Sequence, residues 1–452
     1  MAVWLVLPDK LTIRLFFDTG IVEDLCERLE GRLVTVFPNR EEAKDWESRI
    51  STPVLYRSDL LPMHVGAGER VVRRIDRALD HLLGYYPLAI RLNHRHGFHL
   101  DRMTAGHPNW MLDSARDSGI PHWGWVERVM KHWHFSPRRY VPHELYQRMR
   151  QECDALVLSN VQPHAAVPFL LGARRLGLPI VAHVASWDHT VGKGVIAPFC
   201  HDYIVQNDAM RDDLGRYHGI GPERVTVTGW PQTDIYHRRR PRVDYEELVR
   251  SLGLDLSAPL VVVMGNTPAN TPYERQFIER LLSWWEAEAR GRVSLLFRPH
   301  PRDRDWKERF RPALETSGVA VQEASFTDFD ALVTLLQHCD CVVANAGTIL
   351  LEALLADRPA VCVLYDEGAD PGESFAMKNL LGEHYRELAA SEAFYRADRF
   401  EEVVAGIERA LANPSELASE RRRVAREVVG GVDGRAAERV ADAIITTVGR
   451  AS

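Results

Sequence analysis

Short apolar runs recur along this chain, each closed by glycine, proline or polar residues and most followed by a stretch with helical spacing. Strand-like runs occupy residues 3–7, 33–37, 155–159, 180–184, 203–206 and 225–228. A second series follows at 260–264, 293–297, 319–322, 341–344 and 360–364. Helical patterns lie over 13–29, 165–176, 207–217, 273–289, 328–337 and 349–355. In the first of these the apolar positions are Leu15, Phe16, Val22, Leu25 and Leu29. Strand and helix in alternation predict an α/β fold with parallel sheets. Two such series in 452 residues predict two doubly wound, Rossmann-like domains. Ligands of such sheets gather at the carboxyl ends of the strands. Polar residues at those ends are therefore the first candidates for chemistry.

The alternation fails between residues 40 and 150. Residues 69–83 are amphipathic and basic and predict a helix, closed by Gly84 and Pro87. Eight of the 19 histidines fall between His94 and His143, so this insertion has a chemistry of its own. His94, His96 and His99 raise the question of metal, but no zinc-spaced partner and no HExxH accompanies them. The reading is therefore no metal, and a helical insertion at about 65–150 inside an N-terminal domain of residues 1–240. Basic and aromatic groups mix at Lys131, Trp133, Arg138, Arg139 and Tyr140. That mixture fits an acceptor-binding surface, or a peripheral contact with a membrane through residues 120–145. A charged segment at 237–244 reads as a linker. A C-terminal domain is expected over 241–400, and helices over 401–452, with packing back on the N-terminal domain as one option. Trp284 and Trp285 are open between core and interface.

The formal net charge is −7. It argues against nucleic acid as a general partner. No apolar run reaches membrane-span length. The first residues, MAVWLVLPDK, read as a strand and not a signal peptide. Six cysteines, at 26, 153, 200, 339, 341 and 362, form no CxxC pair and read as reduced core residues of a cytoplasmic protein.

The most informative stretch is CDCVVANAGTILLEALLADRPAVCVLYD, 339–366. It reads as strand, glycine turn, helix, break and strand, the size of one βαβ unit. Gly347 admits a ligand close to the backbone. Thr348 offers a cap or a hydroxyl at a helix start, where free N–H groups favour an anion such as a diphosphate. Glu352, four residues on, projects from the same face, where a carboxylate suits the two hydroxyls of a ribose. A βαβ unit without a ligand is the alternative at this point.

Other strand ends carry polar sets. After 260–264 come Gly265, Asn266 and Thr267. After 293–297 comes RPHP, with Arg298 and His300 suited to phosphate; a rigid corner with surface side chains is the alternative. In SWDHTVGKG, at the end of 180–184, Asp188 is a candidate general base and Lys193 a candidate phosphate contact. Lys10, Arg14 and Asp18 follow the first strand and read as solvated charges.

Three of these motifs carry a resemblance. RPHP at 298–301 resembles the R-x-H-P of the CDP-glycerol glycerophosphotransferases and of proteins related to UDP-N-acetylglucosamine 2-epimerase. NAGTILLEALLADRPAVCV resembles the nucleotide-diphosphate motif of GT-B C-terminal domains. SWDHTVGKG with ERVTVTGWPQTD resembles the N-domain loop and interdomain segment of that superfamily. The resemblance implies the GT-B fold, two Rossmann-like domains facing a cleft. It implies a transferase whose donor is held by Asn266, Thr267, Arg298, His300, Asn345, Gly347, Thr348, Glu352 and Asp366. Asp188 and His300 would serve catalysis, and no cofactor or metal ion would be needed. CDP-glycerol enzymes usually have serines where Asn345 and Ala346 stand, so the expected donor is a nucleotide sugar, the acceptor a hydroxyl. Polyol-phosphate transfer from a CDP donor is the second expectation, and a non-catalytic nucleotide-sugar-binding protein the third.

Overall fold

A computed structural model describes residues 2–60, 71, 132, 134–136, 139–162, 165–192, 195–237, 243–325, 328–370 and 375–450. His94, His96, His99 and Lys193 lie outside the described residues, as does the helix expected at 69–83 apart from Val71. Of the segment 120–145, residues 132, 134–136 and 139–145 are described.

The described chain forms two units. The first comprises residues up to Asp234 together with those from Asp433 onward, the second Ile235–Val432. In the first, seven strands form one sheet: β1 (Val3–Val6), β2 (Leu33–Phe37), β3 (Val54–Tyr56), β4 (Ala155–Leu158), β5 (Ile180–His183), β6 (Asp202–Val205) and β7 (Val225–Val227). Their order is β3-β2-β1-β4-β5-β6-β7, parallel throughout. The second unit has β8 (Leu260–Met264), β9 (Ser294–Arg298), β10 (Ala320–Val321), β11 (Cys341–Ala344), β12 (Ala360–Val363) and β13 (Tyr395–Ala397). Their order is β10-β9-β8-β11-β12-β13, again parallel. Each sheet grows one way from its first strand and then the other. The reversal falls between β1 and β4 in the first unit and between β8 and β11 in the second.

The central strands are apolar on both faces because helices cover both. Val3, Leu5, Val157 and Ile204 pack with Phe16, Phe17 and Leu25 in the first core. Val261, Val263, Leu295, Phe297 and Val343 pack with Ile278, Leu281, Val403 and Ile407 in the second. Trp284 and Trp285 are both core residues here, and Trp285 Nε1 donates to the Val293 carbonyl at 2.7 Å. All six cysteines are free, five of them buried.

One expectation is corrected, and one option left open is filled in. The single helix over 13–29 is two, Lys10–Asp18 and Ile21–Arg28. Gly20 between them has φ 82°, a left-handed turn that glycine adopts at little cost. The block 401–452 also divides. Helices Phe400–Ala412 and Ala418–Val429 belong to the second unit. The last helix, Ala436–Arg450, puts Val440, Ile444 and Val448 into the first core. Asp234 caps that helix, accepting from Ala436 N at 3.1 Å and Ala437 N at 2.7 Å. No helix among the described residues is long and apolar enough to cross a membrane.

Candidate functional site

The second unit's reversal point, between β8 and β11, is where a doubly wound sheet opens a crevice. Asn266 follows β8 and Asn345 follows β11. Asn345 is buried, and its Nδ2 donates to the carbonyls of Val363 (2.7 Å) and Ala376 (3.0 Å). Its Oδ1 accepts from Asn379 and, at 3.4 Å, from Asn266 Nδ2. Asn266 Oδ1 accepts from Thr267 N and Asn270 Nδ2, both at 2.8 Å. These amides tie the chain after β8, after β11 and after β12 into one floor. Asn266 and Asn345 build the site's frame, and the Thr267 carbonyl closes the turn by accepting from Asn270 N.

Beneath the floor lies a charged group that the sequence did not flag. Glu274 Oε1 accepts from Asn266 N at 2.9 Å, and Arg309 comes within 2.8 Å of Oε2, outside hydrogen-bonding geometry. Arg309 also pairs with the fully buried Asp303 and donates to the carbonyls of Asn266 and Thr271. Burial pushes the Glu274 carboxyl up to about 7, against the pull of Arg309. A cavity of about 30 Å³, water-sized, adjoins Glu274, Asn345 and Asp366.

Asp366 holds neighbouring backbone. Its Oδ2 accepts from Phe375 N (2.7 Å) and Ala376 N (3.0 Å), which holds the start of helix Ala376–Leu380. Arg298 is likewise committed. It is 4% exposed, donates to Gln322, and pairs with Asp328 at 2.9 Å. The guanidinium at the end of β9 thus fastens that strand to the loop before helix Phe329–His338. His300 stands further out, beside a hollow of about 240 Å³ lined by Pro299, Pro301, Asp303, Arg304, Trp306 and Glu323. Its Nδ1 accepts from Arg302 N at 3.1 Å. That contact puts the neutral ring's proton on Nε2.

The helix after β11 begins at Thr348, with Gly347 as N-cap and no side chain capping it. The expected hydroxyl cap is therefore absent, and the helix start keeps its N–H groups for another acceptor. Gly347 is extended (φ −172°), a conformation open to any residue. A Cβ there would meet nothing nearer than 3.8 Å. Neither backbone nor packing requires this glycine. Glu352 is 5% exposed, and its Oε2 accepts from Tyr236 Oη at 2.8 Å. Tyr236 lies in a stretch that reads only as interdomain chain.

In the first unit Asp188 sits in the loop after β5. Its Oδ1 accepts from Ser186 Oγ at 2.5 Å, and His189 Nε2 is 4.0 Å away. Behind it His183, 1% exposed, donates from Nδ1 to the Ser159 carbonyl at 2.8 Å. Lys10 opens the helix Lys10–Asp18; from within it Arg14 donates to Gln232 and Asp18 pairs with Arg49. Among the described residues no group of three or more His, Cys, Asp or Glu is placed to hold a metal ion.

Solved structures share this architecture from end to end. UDP-GlcNAc 2-epimerase from Methanocaldococcus jannaschii is 11% identical, with TM-score 0.55 and 99% of each chain covered. The enzyme from Neisseria meningitidis bound to UDP-GlcNAc is 10% identical, with TM-score 0.57, covering 99% of this chain and 100% of that one. A glycosyltransferase from Rickettsia africae is 8% identical, with TM-score 0.53, covering 100% and 99%. At such identities the likeness concerns the fold, two Rossmann-like domains of the GT-B type. The family model for CDP-glycerol:poly(glycerophosphate) glycerophosphotransferase matches residues 196–446, more than half of the chain. The chain belongs to that family and is a transferase of the GT-B class. No curated protein matches it.

Proposed function

We propose that the protein transfers a group from a nucleoside-diphosphate-activated donor to a hydroxyl acceptor, with the nucleotide held at the strand ends of the second unit. The family match carries this reading. It moves polyol-phosphate transfer from a CDP donor ahead of the nucleotide sugar that the motif comparison favoured. In that reaction the acceptor oxygen attacks the distal phosphorus of the donor. The bond from that phosphorus to the bridging oxygen breaks, CMP leaves, and the hydroxyl proton passes to a base. The proposed base is Asp188. The proposed electrostatic partners of the departing phosphate are His300 Nε2, Lys193 and the N–H groups at Gly347 and Thr348. Arg298 supports them from its ion pair with Asp328. We propose that no metal ion takes part. Residues 120–145 are the proposed contact with the cytoplasmic face of a membrane.

The sugar reading stays second, favoured by Asn345 and Ala346 in place of serines. The leaving group separates the two readings. Polyol-phosphate transfer releases a nucleoside monophosphate, whereas sugar transfer releases a diphosphate. The test supplies CDP-glycerol and, separately, UDP- and GDP-sugars, each with a polyol-phosphate or glycan acceptor and with EDTA present or absent. CMP release from CDP-glycerol, unaffected by EDTA, is the expected result. Release of UDP or GDP alone would put the sugar reading first, and loss of turnover with EDTA would remove the metal-free step.

A further inference from the structure

Glu274, Asp303 and Arg309 come from three elements of the second unit. Glu274 opens helix Glu274–Trp284, Asp303 lies in the chain after β9, and Arg309 ends helix Trp306–Arg309. Their side chains are 10%, 0% and 12% exposed. On the side of β8 they hold Asn266 by both backbone groups. Its N–H donates to Glu274 Oε1 at 2.9 Å, and its carbonyl accepts from Arg309 Nη1 at 3.0 Å. Arg309 Nη2 also donates to the Thr271 carbonyl at 2.7 Å. On the side of β9, Arg309 Nη1 donates to Asp303, whose own N–H donates to the His300 carbonyl at 2.8 Å. The two loops lie close as well, since a Cβ on Gly265 would stand 3.2 Å from Pro299 Cα and 3.3 Å from His300 N.

One guanidinium thus serves two carboxylates out of water. With both ionised, the set holds one negative charge in excess; with a single proton it is neutral, the cheaper state in a buried place. Asp303 accepts from Arg309 and, at 3.0 Å, from Asp305 N. Glu274 Oε2 meets Arg309 at 2.8 Å outside hydrogen-bonding geometry, so the proton belongs on Glu274. The other titratable groups lining its cavity are Tyr273, Tyr365, Asp366 and Glu367, none of them a cation. The helix start and Arg309 favour the charged form. Burial outweighs them, with Asp303 adding to it, and lifts the carboxyl to about 7. A loop that opens hydrates Glu274 and returns it to the ordinary carboxylate range, so between about 4.5 and 7 opening releases a proton. The closed form is therefore favoured on the acid side and loses ground as pH rises through 7.

We propose that Glu274, Asp303 and Arg309 are positioning residues that act as one proton-operated tie: the singly protonated, neutral set joins the loop of Asn266 to the turn of His300, and loss of the proton loosens both together. The proposal deepens the reading of these strand ends as the reaction site, and rests on that reading only for its consequence in turnover.

The experiment is hydrogen exchange of the full chain from pH 5.5 to 8.5, corrected for the intrinsic pH dependence of exchange, in wild type, Glu274→Gln and Asp303→Asn. In wild type the protection of 265–273 and 299–305 is expected to fall by about tenfold per pH unit up to 7 and to level above it, while β8 and β9 keep theirs. Glu274→Gln, a neutral isostere of the protonated acid, should hold both loops at the acid-side protection at every pH. Asp303→Asn leaves one carboxylate to one guanidinium and should also lose the slope. A flat wild-type profile overturns the proposal. So does a wild-type slope in Glu274→Gln or, should that variant not fold, in Asp303→Asn. A slope confined to one loop, or shared equally by β8 and β9, overturns it too. Turnover of CDP-glycerol over the same range separates the tie from the functional reading. No turnover beside an intact slope removes that reading and upholds the tie. A pH profile of kcat that is the same in wild type and Glu274→Gln overturns the positioning role.

Discussion

The side-chain amides of Asn266 and Asn345 meet at 3.4 Å across the ends of β8 and β11, the two strands between which the second sheet reverses its growth. Sheet topology opens a crevice there, and these amides decide its shape. Asn345 also spans to the chain after β12, through the carbonyls of Val363 and Ala376. A ligand seated at the reversal point would rest on a floor already hydrogen-bonded within the protein.

Asn345→Ala leaves those two carbonyls without their donor. Each orphaned buried acceptor costs about 1–3 kcal/mol, so the second unit should lose about 2–4 kcal/mol in urea unfolding. Asn345→Asp places a carboxylate against the same carbonyls and should cost more than Ala. An aspartate variant as stable as wild type would show that the amide is not held as described.

Arg298 and His300 are two residues apart and should behave as opposites. Arg298→Met breaks a buried attachment to Asp328 and Gln322 and should lower stability by about 1–3 kcal/mol, discounted because Asp328 is partly exposed. His300→Ala removes a more exposed side chain, whose Nδ1 accepts from Arg302 N within its own turn. Its stability should stay within about 0.5 kcal/mol of wild type, with turnover reduced about a hundredfold or more. Urea midpoints and initial rates of donor consumption check both halves. Equal rates for His300→Ala and wild type would remove His300 from the chemistry.

His183 makes the first unit sensitive to acid. Burial lowers its imidazole from the ordinary 6.5 to about 4, and Nε2 is buried with no hydrogen-bond partner among the described residues. The folded form holds it neutral, while the unfolded chain takes up a proton below pH 6.5. Stability from this group is thus complete above pH 6.5 and lost as pH falls through about 4, roughly 3 kcal/mol in all. His183→Asn keeps a donor for the Ser159 carbonyl and removes the titration. Its unfolding free energy should change less than that of wild type between pH 6.5 and 4, although lower at neutral pH because the Phe16 contact goes. Parallel curves for the two proteins would contradict this account.

Much of the fold was legible because parallel strands buried on both faces are short apolar runs. Leu260–Met264 and Cys341–Ala344 stand out in the bare sequence for that reason. Breaks within helical patterns were not, since the apolar spacing runs through Thr19-Gly20 and only the left-handed turn at Gly20 ends the helix. The site was legible where one element carries its own signal, as with Gly347, Thr348 and Glu352 on a single helix start. It was illegible where a side chain answers to a remote partner. Nothing near Tyr236 encodes Glu352, and nothing near Asp366 announces that it holds the backbone of Phe375 and Ala376. The pairing of Arg298 with Asp328 spans a loop that spacing cannot foresee.

Gly347→Val offers the most direct test of a nucleotide at the strand ends of the second unit. The backbone there is extended, which suits a β-branched residue, and an added Cβ meets no protein atom nearer than 3.8 Å. The variant should therefore fold, at a cost of about 1 kcal/mol or less for a poorer N-cap. A ligand phosphate lying against the helix start would meet the new side chain. The measurement is the thermal shift produced by CDP, CMP, UDP and GDP in wild type and in Gly347→Val, since a ligand of the folded state alone raises apparent stability. The account predicts a clear shift with at least one nucleotide in wild type and its loss in the variant, which still melts cooperatively within a few degrees of wild type in the absence of ligand. An undiminished shift in Gly347→Val would contradict it.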